Sequence, residues 1–237
     1  MANSTVDYVR ARRTTVALKI AMAVTGTIFV LFLLMHMYGN LKMFSGADAY
    51  NGYAGWMRDF GYPLIPNEGL LWGLRVVLGV SIIVHVFAAI TLWHRAGSAR
   101  GRAYKVNSGK KITTARKYTA AMMRWGGLGM LLFIIFHLLH FTTATVEVGE
   151  GFREMTPYAR MVQSFSPEHW YIYVVYLVSL AIILYHIHHG VWSAFATMGL
   201  SRTKRERTYK IIANVVALVV FVGFMAPPTA ILVGLIS

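Results

Sequence analysis

The sequence predicts an all-α integral membrane protein, a bundle of five transmembrane helices, and two observations lead to this fold class. Of the 237 residues, 57% are hydrophobic and only 14% are charged, so the chain cannot build a water-soluble surface of ordinary polarity. Five apolar stretches also approach or exceed the ~20 residues that an α-helix needs to cross the hydrocarbon core. These stretches span approximately 18–41, 70–93, 125–146, 170–198 and 211–236.

The first stretch is expected to remain as a helix rather than to be removed as a signal peptide. It carries Lys19, His36 and Lys42, and no cleavage site of small residues follows it. Polar segments between the five stretches are at most about 30 residues long, which is too short for an independent domain. Residues 1–237 are therefore expected to form one transmembrane domain.

Basic residues mark one side of the predicted bundle. Of the 23 Lys and Arg residues, 18 lie at the N-terminal start, in 95–124 or in 202–210, whereas seven of the nine acidic residues lie in loops 42–69 and 142–169. The positive-inside rule places the N-terminus in the cytoplasm and the C-terminus outside. The net charge of +14 is thus attributed to topology, anionic lipid and a partner subunit with an acidic face, and not to nucleic-acid binding.

Histidines inside the apolar stretches are the most informative feature for function. Seven of the nine lie there: His36, His85, His137, His140, His186, His188 and His189. Ionisable groups in lipid are costly, so they face the bundle interior and usually serve a function. One such histidine is as readily a hydrogen-bonding group between helices, but four helices with histidines indicate a shared ligand. Because cysteine is absent, any bound metal must use other ligands.

Depth along the helices arranges the histidines as two pairs. At a rise of ~1.5 Å per residue, His36 lies in the outer half of the first helix, level with His137 and His140 of the third. The second and fourth helices run inward, so His85 and His186 both lie in the inner half. Each pair offers imidazoles from two helices, as the iron of a b-type haem with two axial histidines requires. Depth alone does not choose between His137 and His140.

Two other functions remain open at this point. His137-x-x-His140 and His186-x-His188-His189 resemble the histidine boxes of membrane di-iron oxygenases, although boxes at different depths cannot hold two irons a few ångströms apart. A transporter with a histidine proton relay, or an anchor whose histidines are only structural, is the second alternative. The transmembrane cores contain no acidic residue, which weakens the transporter hypothesis.

Several motifs carry a resemblance to a known family over nearly the whole chain. They are Thr25-Gly26 to His36-Met37, Gly127 to His137 at the same ten-residue interval, His186 to Gly190-Val191-Trp192-Ser193, and the segment 51–75 with Trp56, Gly61-Tyr62-Pro63 and Leu71-Trp72. These motifs resemble the di-haem cytochrome b subunit of succinate dehydrogenases and fumarate reductases, in the five-helix class that uses menaquinone. The segment 51–75 is similar to that of actinobacterial members.

The resemblance implies ligands for two haems b. His85 and His186 would bind the inner haem, and His36 and His137 would bind the outer one. The choice of His137 over His140 rests on the interval from glycine to histidine. Asp59 lies where some relatives carry an acidic residue near the outer haem, so it is the candidate for a quinone site.

The resemblance also implies a function and a location. Electrons from succinate would pass through a flavoprotein subunit and an iron–sulfur subunit, and then through this chain to menaquinone, within complex II of a bacterial cytoplasmic membrane. The chain would thus be an oxidoreductase subunit that does not itself bind the dicarboxylate. Some relatives have a proton-carrying glutamate two residues before the fourth-helix ligand, where this sequence has Leu184.

Overall fold

The computed structural model describes residues 3–98, 114–200 and 205–237, and within these ranges the chain is helical with no β-strand. The helices are α1 (Asn3–Leu41), α2 (Ala47–Asp59), α3 (Gly69–Ser98), α4 (Thr114–His137), α5 (Pro157–Phe165), α6 (Trp170–Thr197) and α7 (Glu206–Leu232). Short 3₁₀ turns follow α1 and α5, and a π-helical turn follows α4. The all-α prediction is confirmed.

Five of these helices are long and apolar enough to cross a membrane, which makes the chain a multi-pass membrane protein. The candidate spans are Thr15–Ser45, Gly69–Gly97, Ala121–Thr142, Pro167–Thr197 and Glu206–Leu232. Large apolar side chains such as Leu31, Ile83 and Leu218 are more than half exposed. Exposed apolar patches of this extent mark a membrane-contacting surface.

The third transmembrane helix ends earlier than its predicted limit of 146. After His137 the backbone widens into a π turn, Leu138–Thr142, in which the Thr143 amide donates to the Leu138 carbonyl at 2.9 Å. Ala144 then takes a φ of +49°, a left-handed conformation that a right-handed helix cannot contain. Single π turns of this kind often occur at functional sites, and this one includes His140.

The last helix also differs from its predicted limits, 211–236. It begins earlier, at Glu206, and ends at Leu232. Gly234 has a φ of +75°, and the Leu235 amide donates to the Ala230 carbonyl at 2.8 Å. A glycine in this conformation closes a helix by satisfying its last carbonyls, so the apolar residues beyond it do not extend the helix.

Helix α6 is at the centre of the bundle. It packs against α1, α4 and α7, and α1 packs in turn against α3 and α7. One buried cluster fills the middle of the bundle around Leu180, Ile183 and Val220. A second cluster, around Phe152 and Phe165, joins the end of the bundle to the segment before α6. Because α6 contacts three other spans, side chains on different faces of this helix reach different neighbours.

Helices α2 and α5 lie at one end of the bundle, which we call the capped end. The Thr156 side chain caps α5 by accepting from the Ala159 amide at 3.3 Å. The Tyr158 amide donates to Asn51 Oδ1 at 3.0 Å and so joins α5 to α2. Burial against this interface raises the pKa of Tyr50 to about 12. The loops 42–69 and 142–169 therefore form one structured cap.

The predicted orientation rests mostly on basic residues outside the part of the chain described here. Residues 99–113 and 201–204 lie in the two gaps, and the side chains of the N-terminal tail are not described. The cytoplasmic N-terminus and the outer C-terminus therefore stay predictions.

Labelling of single cysteines tests this orientation, because the chain has no cysteine of its own. Glu150 is exposed at the capped end, and Met198 is 55% exposed at the opposite end. We expect a membrane-impermeant maleimide to modify Glu150→Cys in intact cells and Met198→Cys only after permeabilisation. The reverse pattern would invert the predicted topology.

Candidate functional site: two pairs of buried histidines

The bundle brings four histidines from four different helices together as two pairs. His36 of α1 and His137 of α4 have ring centres 5.9 Å apart. His85 of α3 and His186 of α6 have ring centres 6.4 Å apart. Depth along the helices predicted that His85 lies level with His186, and that His36 lies level with both His137 and His140.

The two pairs lie at different levels of the bundle. A Cβ atom on Gly26 of α1 would lie 3.6 Å from Cε1 of His85, and one on Gly127 of α4 would lie 3.9 Å from Cε1 of His186. Each glycine precedes the histidine of the other pair on its own helix by ten residues, which is about 15 Å of helix. Helices α1 and α4 therefore give the same separation between the two pairs, and the His36–His137 pair lies nearer to the capped end.

A threonine hydroxyl fixes the ring of His85. Thr25 Oγ1 lies 2.7 Å from the Ala21 carbonyl and 3.0 Å from His85 Nδ1. A carbonyl can only accept, so the single hydroxyl hydrogen goes to Ala21 and the Thr25 oxygen accepts from His85 Nδ1–H. In a neutral imidazole the other nitrogen, Nε2, then carries a free lone pair. This hydrogen placement follows from the heavy-atom positions.

A longer chain of contacts, which we call the tyrosine relay, begins at His137 and leads to the cap. The Tyr176 hydroxyl of α6 lies 3.2 Å from His137 Nδ1 and 3.0 Å from His140 Nδ1. His140 Nε2 lies 3.0 Å from Ser164 Oγ of α5, which donates to the Arg160 carbonyl at 2.6 Å. Tyr176, His140 and Ser164 are all buried. Both nitrogens of His140 are therefore occupied by hydrogen bonds.

The two remaining histidines of the pairs have different surroundings. His36 is enclosed by aromatic rings, with Phe32 stacked at 5.3 Å between centroids and Phe224 at 5.5 Å. His186 Nδ1 is buried and has no hydrogen-bond partner among the described residues, as is also true of His188 Nδ1 and Trp192 Nε1. Buried polar atoms are almost always paired, so these α6 nitrogens indicate a polar group that the described residues do not supply.

Asp59 is the exposed last residue of α2, and its side-chain contact is with the turn that follows. Its Oδ1 accepts from Asn67 Nδ2 at 2.7 Å. In the same turn, Glu68 forms ion pairs with Arg58 at 3.7 Å and with Arg75 at 3.2 Å. The carboxylate therefore has a local structural contact. Its predicted role at a quinone site stays a prediction.

Sequence reasoning missed three hydroxyls that contact the histidines. Thr25 entered only as part of the motif Thr25-Gly26, and no role was predicted for Tyr176 or Ser164. Tyr176 did carry a signal, since it lies ten residues before His186 on the same helix, about 15 Å away and so at the level of the other pair. A buried tyrosine hydroxyl usually has a hydrogen-bond partner. Ser164 had no signal, because nothing in the sequence placed α5 beside His140.

Comparisons with other proteins do not identify the chain. No protein-family model, curated protein or solved structure matches it. Within the described ranges, no three His, Cys, Asp or Glu side chains gather to form a site for a metal ion. The histidine pairs thus differ from a conventional metal centre built from three or more protein ligands.

Replacing Thr25 tests the contact that fixes His85. Thr25→Val keeps the shape of the side chain but removes the hydroxyl that accepts from His85 Nδ1–H, and a hydrogen bond of this kind contributes about 0.5–1.5 kcal/mol. We expect the free energy of unfolding in detergent to fall by this amount. Thr27→Val is the matched control, because Thr27 makes the same backbone contact to Ala23, at 2.8 Å, but is exposed. Equal losses in the two variants would contradict the assignment.

Proposed function

We propose that the chain is the cytochrome b membrane anchor of a succinate:quinone oxidoreductase and binds two haems b. One haem would lie between His36 and His137, and the other between His85 and His186. The observation that carries the proposal is the stacking of two imidazole pairs, contributed by four helices, along one bundle. The family resemblance of the histidine and glycine motifs supports the same assignment.

The separations within the pairs fit a shared iron. Two imidazoles on opposite sides of one metal, with nitrogen–metal bonds of ~2.0–2.1 Å, have their ring centres ~6 Å apart. The observed separations are 5.9 Å and 6.4 Å. The missing side chains of Gly26 and Gly127 leave room beside His85 and His186.

The hydrogen bonds also favour His85 and His137 as ligands. His85 donates through Nδ1, which leaves Nε2 for a metal. His137 has a partner at Nδ1 and makes no hydrogen bond through Nε2 with a described residue, whereas both nitrogens of His140 are occupied. A metal-binding histidine usually has its second nitrogen fixed in this way. This difference supports His137, rather than His140, as the ligand.

The two alternative functions fit the structure less well. A di-iron oxygenase needs its histidine boxes gathered at one level, but His140 contacts the cap while His186 meets His85 about 15 Å further along the bundle, by the helical rise. A structural role for the histidines explains the hydroxyl contacts of His85 and His137. It does not explain the buried and unpaired Nδ1 of His186.

The histidines, the apolar helices and the basic segments of this chain would have different roles in such a subunit. When bound, the two haems supply one-electron carriers between an iron–sulfur subunit and menaquinone. The paired histidines would hold them, and the apolar helices would exclude water from them. The basic segments 95–124 and 202–210 would attract the acidic face of the iron–sulfur subunit, which carries the flavoprotein subunit with it. The bacterial cytoplasmic membrane is the proposed location.

Haem quantification tests the proposal directly. We expect purified wild type to show the reduced-minus-oxidised spectrum of b-type haem and two haems per chain by pyridine haemochrome. His36→Ala and His137→Ala should each lose one haem, and His85→Ala and His186→Ala should each lose the other. His169→Ala is the control, because His169 lies at the capped end and contacts Ser166 and Gln163.

The same measurement separates the alternatives. A colourless wild-type protein would indicate that the histidines serve in a proton relay or in helix packing. Bound iron without a Soret band would indicate the di-iron oxygenase. Loss of a haem in His140→Ala but not in His137→Ala would show that His140, and not His137, is the ligand.

The predicted quinone role of Asp59 needs variants that separate proton exchange from loop structure. Asp59→Asn keeps an oxygen that can accept from Asn67 but cannot exchange a proton, so we expect quinone reduction to fall about 100-fold or more, within the usual range for a lost general acid. Haem content should not change. Asn67→Ala removes only the contact to the turn and should retain most of the activity. An unaffected Asp59→Asn enzyme would assign the carboxylate to the turn alone.

A further inference from the structure

We propose that Tyr176, His140 and Ser164 act together as positioning residues that determine which nitrogen of His137 faces the haem iron. This inference rests on the proposed function, because it takes His137 as a ligand. It goes beyond the ligand assignment in giving a role to three buried residues that touch no haem ligand except His137. It also links that ligand to the cap, outside the transmembrane helices.

Ser164, the relay residue farthest from His137, sets which atoms donate and which accept in the hydrogen bonds of the tyrosine relay. The Arg160 carbonyl can only accept a hydrogen bond, and Ser164 Oγ lies 2.6 Å from it. Such a short contact between two oxygens requires a hydrogen between them. The single hydroxyl hydrogen of Ser164 is therefore committed to Arg160. Ser164 Oγ must then accept from His140 Nε2–H, 3.0 Å away.

The role of Ser164 as an acceptor then determines which atoms donate and which accept at His140, Tyr176 and His137. A charged imidazole in an apolar bundle is costly, so His140 is neutral and its single ring hydrogen lies on Nε2. Its Nδ1 must accept, and the Tyr176 hydroxyl donates to it at 3.0 Å. The Tyr176 oxygen is left to accept from His137 Nδ1–H at 3.2 Å. His137 Nε2 therefore carries no hydrogen and is free for the iron.

Tight packing holds each member of the relay in place. The His140 ring stacks on Phe152, with centroids 5.4 Å apart and planes inclined by 12°. Arg160 covers the same phenyl ring at 5.9 Å and donates through Nε to the Phe152 carbonyl at 3.0 Å. Tyr176 makes an edge contact with Phe165 of α5 at 5.1 Å. Because these groups are enclosed, water does not compete for their hydrogen bonds.

The two histidines that share the Tyr176 hydroxyl lie on either side of the start of the π turn. His137 ends α4, and His140 lies in the wider turn that follows. Both Nδ1 atoms reach the oxygen of Tyr176, a residue of the neighbouring helix α6. One residue acts as the ligand, and the other transmits the direction of the hydrogen bonds from the cap.

The relay has an electronic consequence for the ligand. An acceptor at Nδ1–H makes an imidazole a stronger electron donor through Nε2. A stronger axial donor stabilises ferric over ferrous haem and so lowers its reduction potential. Removal of the Tyr176 hydroxyl should therefore raise the potential of the haem bound to His137. The haem bound to His85 and His186 should not respond.

Optical redox titration of the purified full-length protein tests the inference. Tyr176→Phe removes the hydroxyl and keeps the ring. Ser164→Ala interrupts the relay at its far end without altering Tyr176 or His137. The haem of interest is the one lost in His36→Ala. We expect its potential to rise in Tyr176→Phe, to rise less in Ser164→Ala, and the potential of the second haem to stay at the wild-type value in both.

Two matched controls separate positioning from general damage. Tyr185→Phe removes a hydroxyl from the same helix at a residue that is 53% exposed. Ser166→Ala removes a hydroxyl two residues from Ser164 that contacts Gln163 and His169 instead. Both should leave the two potentials unchanged.

The outcomes are distinguishable from those of the proposed function. Wild type without haem overturns the proposed function before any relay variant is made, and the ligand role of His137 with it. Wild type with two haems, combined with relay variants that leave both potentials unchanged or shift both equally, overturns the relay alone. A selective shift of the His36-dependent haem, absent from the controls, supports it.

Discussion

A backbone carbonyl can accept a hydrogen bond but cannot donate one, and this constraint determines the state of the buried histidines. In water an imidazole exchanges its hydrogen between two nitrogens. Inside this bundle the choice is fixed, because Thr25 must donate to Ala21 and Ser164 must donate to Arg160. Each hydroxyl is then available only as an acceptor. The backbone carbonyls of Ala21 and Arg160 thereby determine which nitrogen carries the hydrogen in the rings of His85 and His140. A backbone carbonyl needs no particular side chain for this.

The two fixed histidines depend on very different parts of the chain. The hydroxyl that contacts His85 belongs to the neighbouring helix α1 and is anchored four residues earlier in that helix. The direction at His137 is set through Tyr176, His140 and Ser164, and so requires α5 to be in place. The capped end is therefore part of the environment of one histidine pair, while the hydroxyl that contacts the other pair comes from a transmembrane helix.

Much of the fold followed from the sequence, because the bilayer imposes a length and a polarity on each span. All five spans were found, and the alternating directions of the spans, together with depth along each helix, predicted that His85 would lie level with His186. Helix ends were less predictable. The third stretch has no charged residue before Glu147, but its helical turns end at Thr142, just before the left-handed φ of Ala144. Such a local backbone conformation is not encoded in hydropathy.

The contacts around the paired histidines were the least predictable part, and the reason is physical. Spacing gives depth along a helix to within a turn, but whether an imidazole meets a hydroxyl depends on the rotation of each helix and on segments that pack from outside the bilayer. His137 and His140 are three residues apart, and so lie on the same face of a helix. Depth could not separate them. The proposed choice of His137 depends on Ser164, which contacts Nε2 of His140.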